Sequence, residues 1–206
     1  MENIFKNKRR INKTAMIITV AVLFFVVVGE YRFYQNRVVK RVFSYDELVN
    51  LAREAAKAEN LPESIDYYRE AMSLEASNNQ AKSELATVYI KNQNFDEAIA
   101  LLEEVIKTDE SNSFALNNLG NAHRDKGEDD LAEKYYQLSI ARGNIDSVGN
   151  VVTMYNNAGE YEKSISILNT LINGGKNDDY FLRLLASSYS KSGNETRANE
   201  ILAEIE

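Results

Sequence analysis

His123 is the one imidazole in the chain, and with no cysteine anywhere the sequence offers no thiolate nucleophile, disulfide or thiolate metal site. General-base work by His123 would need an orienting carboxylate and a nucleophile in a recognisable pattern, and none flanks it. A zinc ion there would have to take every other ligand from carboxylates. Gly174-Gly175-Lys176 has the composition of a phosphate loop but not its spacing; it follows a helical pattern and reads as a helix stop. Asp129-Asp130 and Asp178-Asp179 lack the alternating ligands of a calcium loop and read as negative charge at helix N-termini. These residues predict neither an enzyme nor a cofactor nor a metal.

The elements that carry them are helical. One proline and nine glycines leave few breakers, and the abundance of Ala, Glu, Leu and Lys favours an all-α chain. Charge is divided sharply. Residues 1–44 hold nine Lys or Arg against Glu2 and Glu30, a net +7; because the whole chain is −7, residues 45–206 carry −14. Phosphate backbones would repel so acidic a body, which excludes nucleic-acid binding.

Residues 1–13 form a basic tail. The run TAMIITVAVLFFVVVG, residues 14–29, is uncharged. As helix it reaches about 24 Å against a hydrocarbon core of ~30 Å. Snorkelling by Lys13 and Arg32 and an aromatic belt of Tyr31, Phe33 and Tyr34 extend it, so a transmembrane helix is expected over 14–34. A cleaved signal peptide has a similar layout, but Val27 and Gly29 are a poor cleavage pair and the run passes straight into a basic, aromatic interface. Arg9 and Arg10 beside the run favour an N-terminus in the cytoplasm and the acidic body in a periplasm or outside the cell. Residues 35–44 continue as a helical linker, and Ser44 with Glu47 makes a capping box that opens a new helix.

From there the chain repeats at a spacing near 34 residues. Ser64, Ala98, Ala132, Ser164 and Ala198 share a small-residue column, preceded by Leu51, Leu85, Leu119, Val151 and Leu185 and then Ala52, Ala86, Gly120, Val152 and Ala186. A further column reads Ala55, Tyr89, His123, Tyr155 and Tyr189, which makes His123 a packing residue. Another reads Tyr68, Leu102, Tyr136, Leu168 and Leu202. A small residue where two helices touch, with large apolar residues around it, describes a close-packed helical hairpin. The predicted repeats are 45–78, 79–112, 113–144, 145–178 and 179–206.

These columns resemble the tetratricopeptide repeat (TPR) family, most fully in residues 79–112 with Leu85-Ala86, Tyr89, Asn94-Phe95-Asp96-Glu97-Ala98-Ile99 and Leu102. The resemblance implies a right-handed α-solenoid of about five hairpins. The family's tryptophan and terminal proline are missing, and Val152 stands where a small residue is usual, so looser packing is expected in the last three repeats. The resemblance also implies that the first helices form a groove for a peptide or helix of a protein partner. The matching positions are Arg53, Lys57, Ser83, Thr87, Lys91, Asn117, Asn121 and Arg124, continued by Thr153, Asn157, Arg183, Ser187 and Lys191. Asn50, Asn118 and Asn150 share one column, as a partial asparagine ladder would. The lysine and asparagine pattern that clamps chaperone tails is not reproduced.

The function expected is a membrane-anchored interaction scaffold in an envelope or secretion complex. The alternatives are a secreted repeat protein and a self-assembling oligomer joined through Leu185, Ile201, Leu202 and Ile205, exposed at an uncapped end. Alkaline phosphatase fused after Glu206 should be active; activity only of a cytoplasmic reporter there would reverse the orientation.

Overall fold

The computed structural model describes residues 43–176 and 178–205. The expected span over 14–34 and nearly all of the linker lie outside them; among the described residues no helix is long and apolar enough to cross a membrane. The described chain is all-helical, with ten helices in order: α1 Tyr45–Lys57, α2 Leu61–Leu74, α3 Asn79–Lys91, α4 Phe95–Thr108, α5 Ser113–Lys126, α6 Asp129–Ala141, α7 Asp146–Asn157, α8 Tyr161–Asn173, α9 Asp179–Lys191 and α10 Glu195–Ala203. They pair as five successive hairpins, and each hairpin packs on the next.

Helix starts follow local chemistry. Ser44 and Glu47 form the capping box, the Ser44 N–H donating to the Glu47 carboxylate at 3.0 Å and the Glu47 N–H to the Ser44 hydroxyl at 3.3 Å. Asn78, Asn112, Asp178 and Asn194 cap α3, α5, α9 and α10 through their side-chain oxygens. Each hairpin turn needs one residue in the left-handed region. Gly127, Gly159 and Gly193 serve the last three turns, but Glu59 (φ 59°) and Gln93 (φ 62°) hold that conformation in the first two.

The small column lies where hairpin helices meet. The Ser64 hydroxyl donates to the Ala52 carbonyl across the first hairpin at 2.8 Å, and Ser164 to Val152 in the fourth at 3.3 Å. Gly120 is required in the third: a Cβ there would stand 2.5 Å from the ring of Tyr136, which is fully buried. Val152 is buried too, yet α7 and α8 approach each other less closely than the helices of any other hairpin. The loosening expected of the last three repeats is therefore confined to the fourth, where a branched side chain replaces Ala or Gly.

The fourth and fifth hairpins share one apolar core that includes Val148, Val152, Leu168, Phe181, Leu185 and Ile201. Leu185 and Ile201 are thus buried, contrary to the expectation that they face solvent, because α10 folds back on α9 and covers them. Leu202 is exposed and Ile205 half-buried.

Gly120→Ala gains helix propensity of about 1 kcal/mol but overpacks the Tyr136 ring at a cost of roughly 1–3 kcal/mol. Because that ring has no free space to move into, the net expectation is a lowered urea midpoint. Gln93→Gly, which relieves the left-handed turn, should raise the midpoint, corresponding to a stability gain of about 0.5–1 kcal/mol.

Candidate functional site

The first helices of successive hairpins, α1, α3, α5, α7 and α9, lie side by side. The three later junctions bring them into contact, whereas α1 approaches α3 less closely than any other of these helices approaches its neighbour. At the close junctions the polar residues expected to face a ligand are used to join repeats. Asn118 donates to the Thr87 hydroxyl at 3.1 Å. Asn117 accepts from Ser147 at 2.8 Å and from Asn150 at 2.9 Å. Asn156, a residue of this kind that the columns did not reveal, donates to Ser188 at 3.1 Å.

Ser83, Asn117 and Asn118 are buried and so are removed from the expected groove; an amide between two close helices must find its partner there rather than in solvent. The asparagine ladder is not formed as a line. Asn50 is exposed and accepts from Arg53 at 3.4 Å, while Asn118 and Asn150 serve different junctions. Asn121 accepts from the Tyr136 hydroxyl at 2.8 Å, and Arg124 pairs with its neighbour Asp125 at 2.8 Å.

At the wider α1–α3 junction a cavity of about 290 Å³ opens, lined by Arg53, Ala56, Lys57, Tyr68, Glu84, Thr87, Val88, Lys91 and Phe114. Four of these, Arg53, Lys57, Thr87 and Lys91, are residues the resemblance pointed to. Thr153, Asn157, Arg183, Ser187 and Lys191 lie exposed along α7 and α9 and do not join it.

Glu84 and Phe114 were missed. Glu84 occupies the column of Asn50, Asn118, Asn150 and Leu184, and Phe114 a first-turn column that reads Asp46, Gln80, Asp146 and Tyr180 in other repeats. The legible signal was a carboxylate in a column of three amides; Phe114 shares its column with a second aromatic, Tyr180, and did not stand out. Phe114 is 50% exposed and stands at the mouth of the cavity.

Electrostatics at the cavity centre on Glu84. Arg53 grips it with two N–H groups, at 2.7 and 2.6 Å, while the Tyr68 hydroxyl donates at 2.8 Å and the Gln80 amide at 3.0 Å. Partial burial by itself pushes the Glu84 carboxyl up, but the hydrogen bonds from Arg53, Gln80 and Tyr68 together hold it below the usual carboxylate range. The same pairing raises Arg53, and burial followed by the Glu84 bond raises Tyr68. Arg53 is therefore not a free cation for a ligand. Lys57 is only loosely held by Glu54 at 3.5 Å, with both side chains about three-quarters exposed, and Lys91 makes no ion pair among the described residues.

His123 is buried, stacked on Tyr135 with ring centroids 5.2 Å apart, and its Nδ1 lies 2.6 Å from the Glu128 carboxylate. Glu128 also meets Lys126 at 3.0 Å, and that lysine reaches Asp96 in the previous hairpin at 2.9 Å. The imidazole joins packing to a surface charge network. Among the described residues no cluster of His, Cys, Asp and Glu could hold a metal ion.

A tetratricopeptide repeat family model matches residues 49–113 and 83–144, which takes in the α1–α3 cavity. Residues 49–144 of the chain are tetratricopeptide repeats. No curated protein matches the chain significantly in sequence. Among solved structures it is similar to MamA (17% identity, TM-score 0.59, covering 77% of this chain and 88% of that one). A tetratricopeptide repeat protein from Parabacteroides merdae matches at 18% identity and TM-score 0.62, covering 88% of this chain and 75% of that one. The first TPR domain of Spaghetti (RPAP3), solved bound to the HSP90 peptide SRMEEVD, matches at 17% identity and TM-score 0.52, covering 56% of this chain and 94% of that one. At such identities these likenesses establish the fold of the repeats.

Glu84, Glu104 beside Lys82, and Glu128 beside His123 are all held below the ordinary carboxylate value of 4.5. Depressed folded values mean the unfolded chain binds more protons in acid. Stability is then complete above about pH 4.5 and falls as pH drops through the depressed range. Urea midpoints from pH 6 to pH 3 should show this acid limb. Glu84→Gln should shallow it while costing about 1 kcal/mol at neutral pH, a modest figure because solvent screens the half-exposed Arg53.

Proposed function

We propose that the chain is a membrane-anchored scaffold whose first helices hold a segment of another protein. The observation that carries this reading is the cavity between α1 and α3. It is the place along the first helices where an exposed aromatic, Phe114, and two accessible lysines, Lys57 and Lys91, meet an apolar recess. Its volume suits one or two side chains rather than a cofactor. The tetratricopeptide repeats support a protein or peptide as the ligand. The uncharged run 14–29, bounded by basic residues and followed by aromatics, supports the anchor, with the repeats in the periplasm or outside the cell as part of an envelope or secretion complex. Anchoring would raise the effective concentration of the scaffold near membrane partners without any new contact.

Self-assembly is favoured by one observation, the exposed Leu202 beside half-buried Ile205 on the last hairpin. The burial of Leu185 and Ile201 shrinks that surface well below what a stable dimer needs.

A photoreactive residue placed at position 114 should crosslink a discrete protein in native membranes, and Lys57→Glu with Lys91→Glu should weaken that adduct about tenfold. Equal crosslinking from an exposed control position such as Asn173 would remove the groove. Release of the intact chain by carbonate washing would remove the anchor.

A further inference from the structure

The lining of the α1–α3 cavity contains three cations, Arg53, Lys57 and Lys91, and one carboxylate, Glu84. Glu84 accepts four hydrogen bonds, two of them from the Arg53 guanidinium at 2.7 and 2.6 Å, so its lone pairs are occupied and the Nε–Nη2 edge of the guanidinium is closed, while Nη1 reaches Asn50 at 3.4 Å. A ligand carboxylate approaching Arg53 would meet the Glu84 charge beside it, and would find only the outer Nη1 edge, beside Asn50, unless it broke the bidentate pair. What remains for a ligand is an apolar wall of Ala56, Val88 and Phe114, with Lys57 and Lys91 in the last turns of α1 and α3.

The magnitudes rank these features. Covering the exposed half of a phenylalanine is worth about tenfold or more in affinity. An exposed lysine–carboxylate contact is worth roughly threefold and weakens with salt. An apolar side chain must therefore be the anchor and an acidic neighbour the accessory. A chain-terminal carboxylate needs several convergent donors. Here the guanidinium is engaged, and Asn117 and Asn118 are buried in repeat junctions.

We propose that Glu84, by neutralising the Arg53 guanidinium and occupying its inner edge, sets this cavity to take an internal peptide segment in which one large apolar side chain stands beside one carboxylate, and to reject chain-terminal carboxylates. The proposal rests on the reading that the first helices hold a peptide. It makes Glu84 a specificity-determining residue that touches the ligand little, acting through Arg53.

The test is a synthetic library of random dodecapeptides, each made with a free and with an amidated C-terminus, titrated against the full chain in detergent micelles. Wild-type binders should be enriched in a large apolar residue next to a single Asp or Glu, and amidation should change affinity less than about twofold. Phe114→Ala should cost about tenfold, and Lys57→Gln with Lys91→Gln should abolish the acidic preference and its salt dependence. Glu84→Gln opens the fork and should add about threefold or more for free-acid or doubly acidic peptides. In case that variant loses helicity, Arg53→Gln with Glu84→Gln removes both charges at once and should keep the wild-type selectivity. A wild-type preference for free C-termini, or free-acid selectivity in the double variant, overturns the role of Glu84. Binders without the apolar–acidic pairing overturn the ligand class but leave the peptide-holding surface standing. A library with no binder at all removes both.

Discussion

Tyr68, Leu102, Tyr136 and Leu168 occupy the same place in successive second helices, and each is almost wholly out of water. A single hairpin could not bury them, because two short helices have only one mutual face: Tyr136 lies against Gly120 of its own hairpin but is closed off by Val151, Met154 and Tyr155 of the next. Burial of this column by the following hairpin is the contact on which the rest of the array depends. The fifth member shows the rule by exception: Leu202 has no described hairpin after it and stays exposed. The energetics are accordingly those of a stack, in which each junction contributes its own apolar area and its own few polar ties.

Those polar ties explain what was legible in the sequence. Apolar columns at constant spacing locate hairpins because a repeat can bury its face only if the same positions remain apolar each time, so Leu85, Leu119, Val151 and Leu185 announced themselves. The turns were legible where Gly127, Gly159 and Gly193 stand. Polar positions were not, since an asparagine facing solvent and one facing the next helix look alike in a single chain. Asn117 and Asn118 turned inward because α5 lies close to both neighbours, and that closeness is a property of the stack, invisible in any one repeat. Val152 was read correctly as a spacer, but its effect stops at α7 and α8 because the third and fifth hairpins keep Gly120 and Ala186 at the same point.

The candidate site was half legible for a related reason. Lys57, Thr87 and Lys91 follow from the family pattern, whereas the meaning of Arg53 depends on a carboxylate one repeat away. Bridging α1 and α3, the Arg53–Glu84 pair joins two helices whose main chains stay apart, and the gap it spans is the cavity itself. A body that carries −14 beyond residue 44 thus presents a small recess whose lining carries a net positive charge, which gives an acidic scaffold a way to attract an acidic segment at one place and repel it elsewhere.

Glu59 and Gln93 sit in left-handed turns that glycine would occupy without strain, and both turns belong to the hairpins that form the cavity walls. Strain in a stacked array is felt where it is placed, so the amide hydrogens at these two turns should exchange sooner than those at the glycine turns. Two walls of the recess thus belong to the hairpins whose turns carry this backbone strain.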